Sequence, residues 1–286
     1  MRRTHSISAA LLAVALIASC SQLEGGDTFH DCIKGDCKIN SSSNSSSGSS
    51  SSNDSSSSSS SSSSLGEPAS SSSEGAQVGI GCSIDDYAIV EIDDQTWMAE
   101  NYNCEVDGSK CYDNNPANCV TYGRLYNWAT AMALPPECNS STCASNIQPQ
   151  HRGICPSGWH IPSDADWNKL YEFAEVDVNL CQDNGNFGQG HFGQCLNAGA
   201  KLKATNGWSG GGNGTDNFGF SALPGGFRNT SGAFNFVGDI GYWWSSSEYN
   251  SNFAYHRYMN YNNEFAIWNS SYKTSLFSVR CVKDGN

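Results

Sequence analysis

Apolar residues fall along this chain in three regimes. From Ile7 to Ala18 they form an almost unbroken run, from Ser41 to Ser73 serine all but replaces them, and beyond residue 79 they recur with recognisable periods. In that last region Tyr87, Ile89, Glu91 and Ile92 predict a strand, Asp93 and Asp94 a turn, and Gln95 to Trp97 a returning strand. Leu125, Trp128, Ala129 and Met132 stand at i, i+3, i+4 and i+7, which predicts an amphipathic helix over 122–134. Ser163 predicts the N-cap of a second helix, with Asp164 and Asp166 in its first turn and Trp167, Leu170 and Ala174 on one face. Residues 205–241 are rich in glycine and turns; beyond them 253–259, 265–268 and 277–282 predict strands, the first two joined by a turn at Asn262 and Asn263. Helices grouped before a run of strands give an α+β domain.

The first regime changes the expected location. Arg2 and Arg3 precede the apolar run, which is too short to span a bilayer and reads as a secretory signal. It ends in Ile17, Ala18, Ser19 and Cys20, which resembles the lipobox of bacterial lipoproteins. That resemblance implies cleavage before Cys20, acylation of its thiol and a membrane partner held through lipid. Ser21, in place of Asp, implies outer-membrane sorting in a diderm envelope, hence a lipid-anchored, surface-exposed protein. The alternative is an ordinary secretory signal followed by an unmodified cysteine. The expected organisation is a signal peptide over 1–19, a lipidated cysteine with a serine-rich linker over 20–78, and one domain over 79–286. The serine tract cannot bury a core and is expected to be disordered. About 40 such residues span roughly 35 Å root-mean-square, enough to lift a domain off a membrane.

Net charge is −13, with 15 basic and 28 acidic residues, which argues against nucleic acid as a partner; a neutral ligand such as a glycan is compatible with that field, whereas an anionic polymer is repelled unless a local basic patch or a bound cation intervenes. Thirteen cysteines, less Cys20, leave an even twelve, the arithmetic of a disulfide framework in an exported chain. None has the C-x2-C spacing of a zinc site, so no metal is expected from cysteine. Cys32 and Cys37 are close enough to close a small local loop. Elsewhere spacing alone does not fix the pairing.

More specific are six blocks: 95–101 (QTWMAEN), 122–128 (YGRLYNW), 153–162 (GICPSGWHIP), 219–226 (GFSALPGG), 242–247 (YWWSSS) and 278–282 (SVRCV). Their order and spacing resemble the Fibrobacter succinogenes major paralogous domain, and the match covers essentially all of 79–286. The layout is more distantly similar to the C-type-lectin fold and to formylglycine-generating enzymes, so the resemblance implies a C-type-lectin-like, disulfide-rich domain. It also implies a bond between Cys155 and Cys281, which lie in two of the blocks. Cys82 with Cys104, Cys111 with Cys119, Cys138 with Cys143 and Cys181 with Cys195 are then the simplest local pairs. Members of the family are exported or lipid-anchored proteins without a settled activity, so the resemblance speaks to fold more than to role.

Candidate chemistry is sparse. Ser209 sits in a G-x-S-x-G pattern, but Gly212, Asn213 and Gly214 follow where a nucleophile elbow needs a helix. Asp85, Asp86, Asp93, Asp94, Asp216 and Glu248 could form a glycosidase pair, yet two of these doublets lie in turns, where Asp is ordinary. The spacing of Cys138 and Cys143 superficially resembles an oxidase pair, but it lies in the wrong segment. His160, between Trp159 and Ile161, reads as structural. No catalytic residue, and no enzyme, is expected. Asp183, Asn184 and Asn186, or Asp216 and Asn217, offer oxygens to Ca2+ without forming a calcium motif, and no other cofactor is implied.

The aromatic residues point furthest. Trp97, Trp128, Trp159, Trp167 and Trp244 fall in the blocks or on helix faces and are assigned to the core. Tyr249, Tyr255, Tyr258, Tyr261, Trp268 and Tyr272 lie outside the blocks, interleaved with asparagines. Rings with amides beside them suit sugars, by stacking and edge hydrogen bonds. Cross-strand packing is the competing role. The expected ligand face comprises Tyr249, Tyr255, Tyr258, Tyr261, Asn262 and Trp268, on a surface-displayed module for polysaccharide. The alternative is an envelope domain that contacts other proteins and has no small ligand, with a hydrolase behind it.

Overall fold

A computed structural model describes residues 82–187 and 190–285. The segments expected to be a signal peptide and a serine-rich linker, with Cys20, Cys32 and Cys37, lie outside the described residues. The first hairpin forms as its alternation predicts: β1 (Ile89–Ile92) pairs antiparallel with β2 (Gln95–Met98), Val90 opposite Trp97. Asp93 takes a left-handed φ of 55° in the connecting turn, a conformation Asp tolerates.

The helix expected over 122–134 does not form as one piece. α1 (Pro116–Tyr122) ends at Gly123, whose φ of 74° breaks the helical path and lets the backbone pass close to Asn101. The chain then runs extended, Leu125 bridging to Lys110 and Tyr126 to Phe277, before the short α2 (Trp128–Ala131) begins under an Asn127 cap. Trp128, Ala129 and Met132 still bury together, which accounts for the helical period, but Leu125 belongs to a separate cluster with Tyr112 and Leu276. Tertiary pairing with Phe277 wins over local propensity here.

β3 (Trp159–His160) leads into α3 (Asp164–Glu175), which has a full capping box: Asp166 N–H donates to Ser163 Oγ, and Ser163 N–H to Asp166 Oδ2. Trp167, Leu170, Tyr171 and Ala174 form its buried stripe, as the spacing predicts, with Tyr171 added. A hairpin of β4 (Cys181–Phe187) and β5 (Gly190–Cys195) follows, then α4 (Ala198–Leu202), β6 (Gly225–Arg228), β7 (Phe234–Val237), β8 (Ile240–Glu248), β9 (Phe253–Asn260), β10 (Ala266–Tyr272) and β11 (Val282–Lys283).

One sheet has the order β1-β2-β11-β3 and the other β4-β5-β10-β9-β8-β6-β7, an α+β arrangement. These elements lie in one compact unit, Ser71–Asn286. α3 covers one face of the larger sheet, its stripe packing with Trp97, Trp243, Met259 and Ala266. Five disulfides close this unit: Cys82–Cys104, Cys111–Cys119, Cys138–Cys143, Cys155–Cys281 and Cys181–Cys195.

The sequence blocks meet in the interior. Asn101 Oδ1 accepts hydrogen bonds from Trp243 Nε1 at 2.8 Å, Arg280 Nη2 at 2.8 Å and Arg280 Nε at 3.2 Å, while Arg280 Nη1 donates to the Phe220 carbonyl. Four of the six blocks thus share one buried polar node. The indoles of Trp128, Trp167 and Trp244 likewise donate to the carbonyls of Ser245, Trp244 and Tyr126. Buried polar groups satisfied in this way specify a packing, and the blocks record that requirement.

Candidate functional site

Side chains alternate across a strand, so β9 sends Tyr255, Arg257 and Met259 toward α3 and Ala254, His256 and Tyr258 to the opposite face. On β10, Trp268 stands opposite Arg257 and shares its face. The ring of Trp268 lies against Gly193 of β5, where any Cβ would collide with ring atoms Cζ2 and Cε2. That glycine is therefore a condition for where the indole sits.

Between α3 and these strands is a cavity of about 330 Å³. α3 contributes Asp164, Asn168, Tyr171 and Glu172, a stripe at i, i+4, i+7 and i+8 beside its apolar one. Tyr255, Arg257 and Trp268 line the sheet side, and the Cys181–Cys195 disulfide with Asp183 closes the β4–β5 end.

Arg257 is fully buried and held from several sides. Nη1 lies 3.0 Å from Asp164 Oδ1, Nη2 donates to Asn168 Oδ1 at 2.8 Å and to the Asp164 carbonyl at 3.2 Å, and the guanidinium carbon is 5.9 Å from the ring centres of both Tyr171 and Trp268. Its Nε, and the buried hydroxyl of Tyr171, have no hydrogen-bond partner among the described residues. Burial raises the Tyr171 pKa, so its hydroxyl keeps its proton and can donate.

Of the six residues expected to form a ligand face, the structure brings Tyr255 and Trp268 to the cavity. Tyr249 is one layer away, its ring edge-on to Tyr255 at 5.4 Å. Tyr258 is on the other face, stacked 5.7 Å from Tyr242 and 5.8 Å from His256, the cross-strand packing role. Tyr261 packs against Gly210 and Gly212 beyond the end of β9, and Asn262 sits in the exposed turn. A period of two separates Tyr255 from Tyr258, and so one ligand face cannot hold both.

Among the cavity's polar residues, Asp183 offers one of the oxygens named from sequence, whereas Asp164, Asn168, Glu172 and Arg257 are not among the expected site residues. Arg257, the one Arg or Lys in β9, and the polar stripe of α3 were the available signals.

The other candidates are occupied elsewhere. Asp85 and Asp86 sit in a single turn capped by Ser83, and Asp94 pairs with Lys169. Asp216 accepts from Ser221 N–H at 2.7 Å and from its hydroxyl at 2.6 Å, forming its own turn. Glu248 is buried with Lys273, whose ammonium also donates to the carbonyls of Ser141 and Ser251. Ser209 starts a three-residue turn, and Cys138 is bonded to Cys143. His160 lies between Asp284, at 2.9 Å, and Asp166, at 3.4 Å. Among the described residues the one metal-like grouping is Glu175 with Cys181 and Cys195, but those sulfurs are bonded to each other and Glu175 caps α4 through Asn197 and Ala198.

No curated protein and no solved structure matches the chain. A family model, that of the Fibrobacter succinogenes major domain, matches residues 90–283, which include α3, both sheet partners of the cavity and most of the 286-residue chain. The chain belongs to the Fibrobacter succinogenes major domain family.

Proposed function

We propose that this protein is a surface-displayed lipoprotein whose domain binds polysaccharide in the cavity between α3 and β9–β10. The observation that carries the reading is that Tyr255 and Trp268 line one cavity together with Asn168, Asp164, Glu172 and Asp183. Aromatic rings beside hydroxyl-binding groups are what a pyranose needs, and about 330 Å³ lies at the lower end of small-ligand sites. The fold is read as C-type-lectin-like, supported by an early helix, a long irregular stretch and a last strand tied back by Cys155–Cys281. Acylation at Cys20 would supply the anchor to an outer membrane. Replacing Cys20 by Ser should then move the protein from the membrane fraction to the soluble one; retention would remove the anchoring part of the proposal.

The binding part is tested by retention of the full chain on insoluble plant fibre and on a glycan array, beside Trp268→Ala and Tyr255→Ala. Retention by the wild type and its loss in both variants, with unfolding midpoints within a few degrees, supports the reading. No retention of the wild type on any glycan, with or without Ca2+, refutes it. A second reading, contact with a protein partner, is favoured by Phe173, Val176 and Val178, which leave 39%, 79% and 57% of their surface exposed at the end of α3.

A further inference from the structure

The cavity's charges and its two unpartnered donors narrow the kind of sugar it takes. Arg257 is the cation among its lining residues, and Asp164 neutralises it at 3.0 Å. The buried ion pair is therefore balanced, and an anion brought in by a ligand would find no free counter-ion there. Glu172 and Asp183 are exposed lining residues, and with a chain charge of −13 they repel an anion. Arg257 Nη1 and Asp164 Oδ1 lack a hydrogen bond but have each other at 3.0 Å, whereas Tyr171 Oη and Arg257 Nε are buried donors with neither a hydrogen bond nor an ion pair among the described residues, on two side chains with no measurable exposure.

We propose, resting on the polysaccharide reading above, that the cavity is selective for a glycosyl unit without an acidic group, one of whose hydroxyl or ring oxygens accepts from the Tyr171 hydroxyl and the Arg257 guanidinium. Uronic acids are discriminated against. Trp268 and Tyr255 flank the unit, and Asn168 and the exposed carboxylates take its remaining hydroxyls.

The test is calorimetric titration of the full chain with neutral hexasaccharides (cello-, xylo- and mannohexaose) and with hexagalacturonate, in wild type and Tyr171→Phe. At least one neutral hexasaccharide should bind, and hexagalacturonate at least tenfold more weakly. Tyr171→Phe keeps the ring and removes one donor. It should weaken neutral binding about 3- to 10-fold, with the unfolding midpoint unchanged or raised. Equal or tighter binding of hexagalacturonate overturns the selectivity while leaving the polysaccharide reading standing. Unchanged affinity in Tyr171→Phe overturns the donor assignment. Binding of no saccharide overturns both proposals.

Discussion

Replacing Cys155 and Cys281 together by Ala should be the most damaging single-bridge deletion in the domain. The bond spans 126 residues, the longest closure among the five, and both cysteines are fully buried in the cluster that holds Trp128, Trp159 and Phe277. In the loop-entropy relation a closure of that length contributes about 5 kcal/mol at 25 °C, and the shortcut through Cys181–Cys195 lowers this by only about 0.1 kcal/mol. The same relation gives the Cys181–Cys195 closure, 14 residues long, about 3 kcal/mol. Domains of this kind are stable by about 5 to 15 kcal/mol, so the longer bridge is a large share of the whole. Urea unfolding followed by tryptophan fluorescence, on wild type, Cys155→Ala/Cys281→Ala and Cys181→Ala/Cys195→Ala, reads the difference. The first variant should be less stable than the second by about 2 kcal/mol or more. Equal costs, or a reversed order, would refute the long-closure argument.

Asn101→Ala leaves Trp243 Nε1 and two nitrogens of a buried guanidinium unpaired, so it should cost about 3 to 5 kcal/mol in the same urea assay. Val176 ends α3 at φ 74° while 79% exposed, so relief of backbone strain in Val176→Gly should raise stability by about 1 kcal/mol, read as a higher unfolding midpoint. Burial, with Arg257 adding to it, lowers the His256 pKa to about 3. The unfolded chain, titrating near 6.5, therefore binds the extra proton first, and stability falls by about 4 to 5 kcal/mol as pH drops from 6.5 to 3. His256→Phe should flatten that acid limb; an unchanged pH profile would contradict it. His160 acts oppositely: burial opposes its charge, but hydrogen bonds to Asp166 and Asp284 outweigh this and raise its pKa. Its contribution is complete below about pH 6.5 and is lost as pH rises through the raised value, so His160→Gln should narrow the stability difference between pH 6 and pH 8.

What the sequence made legible follows from what repeats in it. Two-residue and four-residue spacings marked β1, β2, α3, β9 and β10, because each has one face in a core. The six blocks pointed to an interior: Asn101, Trp243, Phe220 and Arg280 lie far apart in the chain and meet at one node. β4, β5 and β6 are interrupted by glycines and turn residues that blur a period, and β5 takes its place in the sheet from a distant partner, pairing with Ala266 to Trp268 of β10. The single helix expected around Leu125 was undone by Gly123 and by Phe277, the second of which no local window contains.

For the site, the aromatic half was legible as rings outside the blocks. Strand alternation could have set Tyr258 apart from Tyr255. The partners that hold Arg257, Asp164 and Asn168, lie 93 and 89 residues away from it and become visible only once α3 is laid over the sheet.

The central claim is that the cavity beside Trp268, and not the aromatic face on the other side of the sheet, holds the ligand. Titration of the best-binding neutral hexasaccharide into Trp268→Ala and into Tyr258→Phe tests it most directly. The account predicts a loss of about tenfold or more in the first, from the stacking surface removed, and no change in the second. Affinity that survives in Trp268→Ala, or falls in Tyr258→Phe, would contradict it.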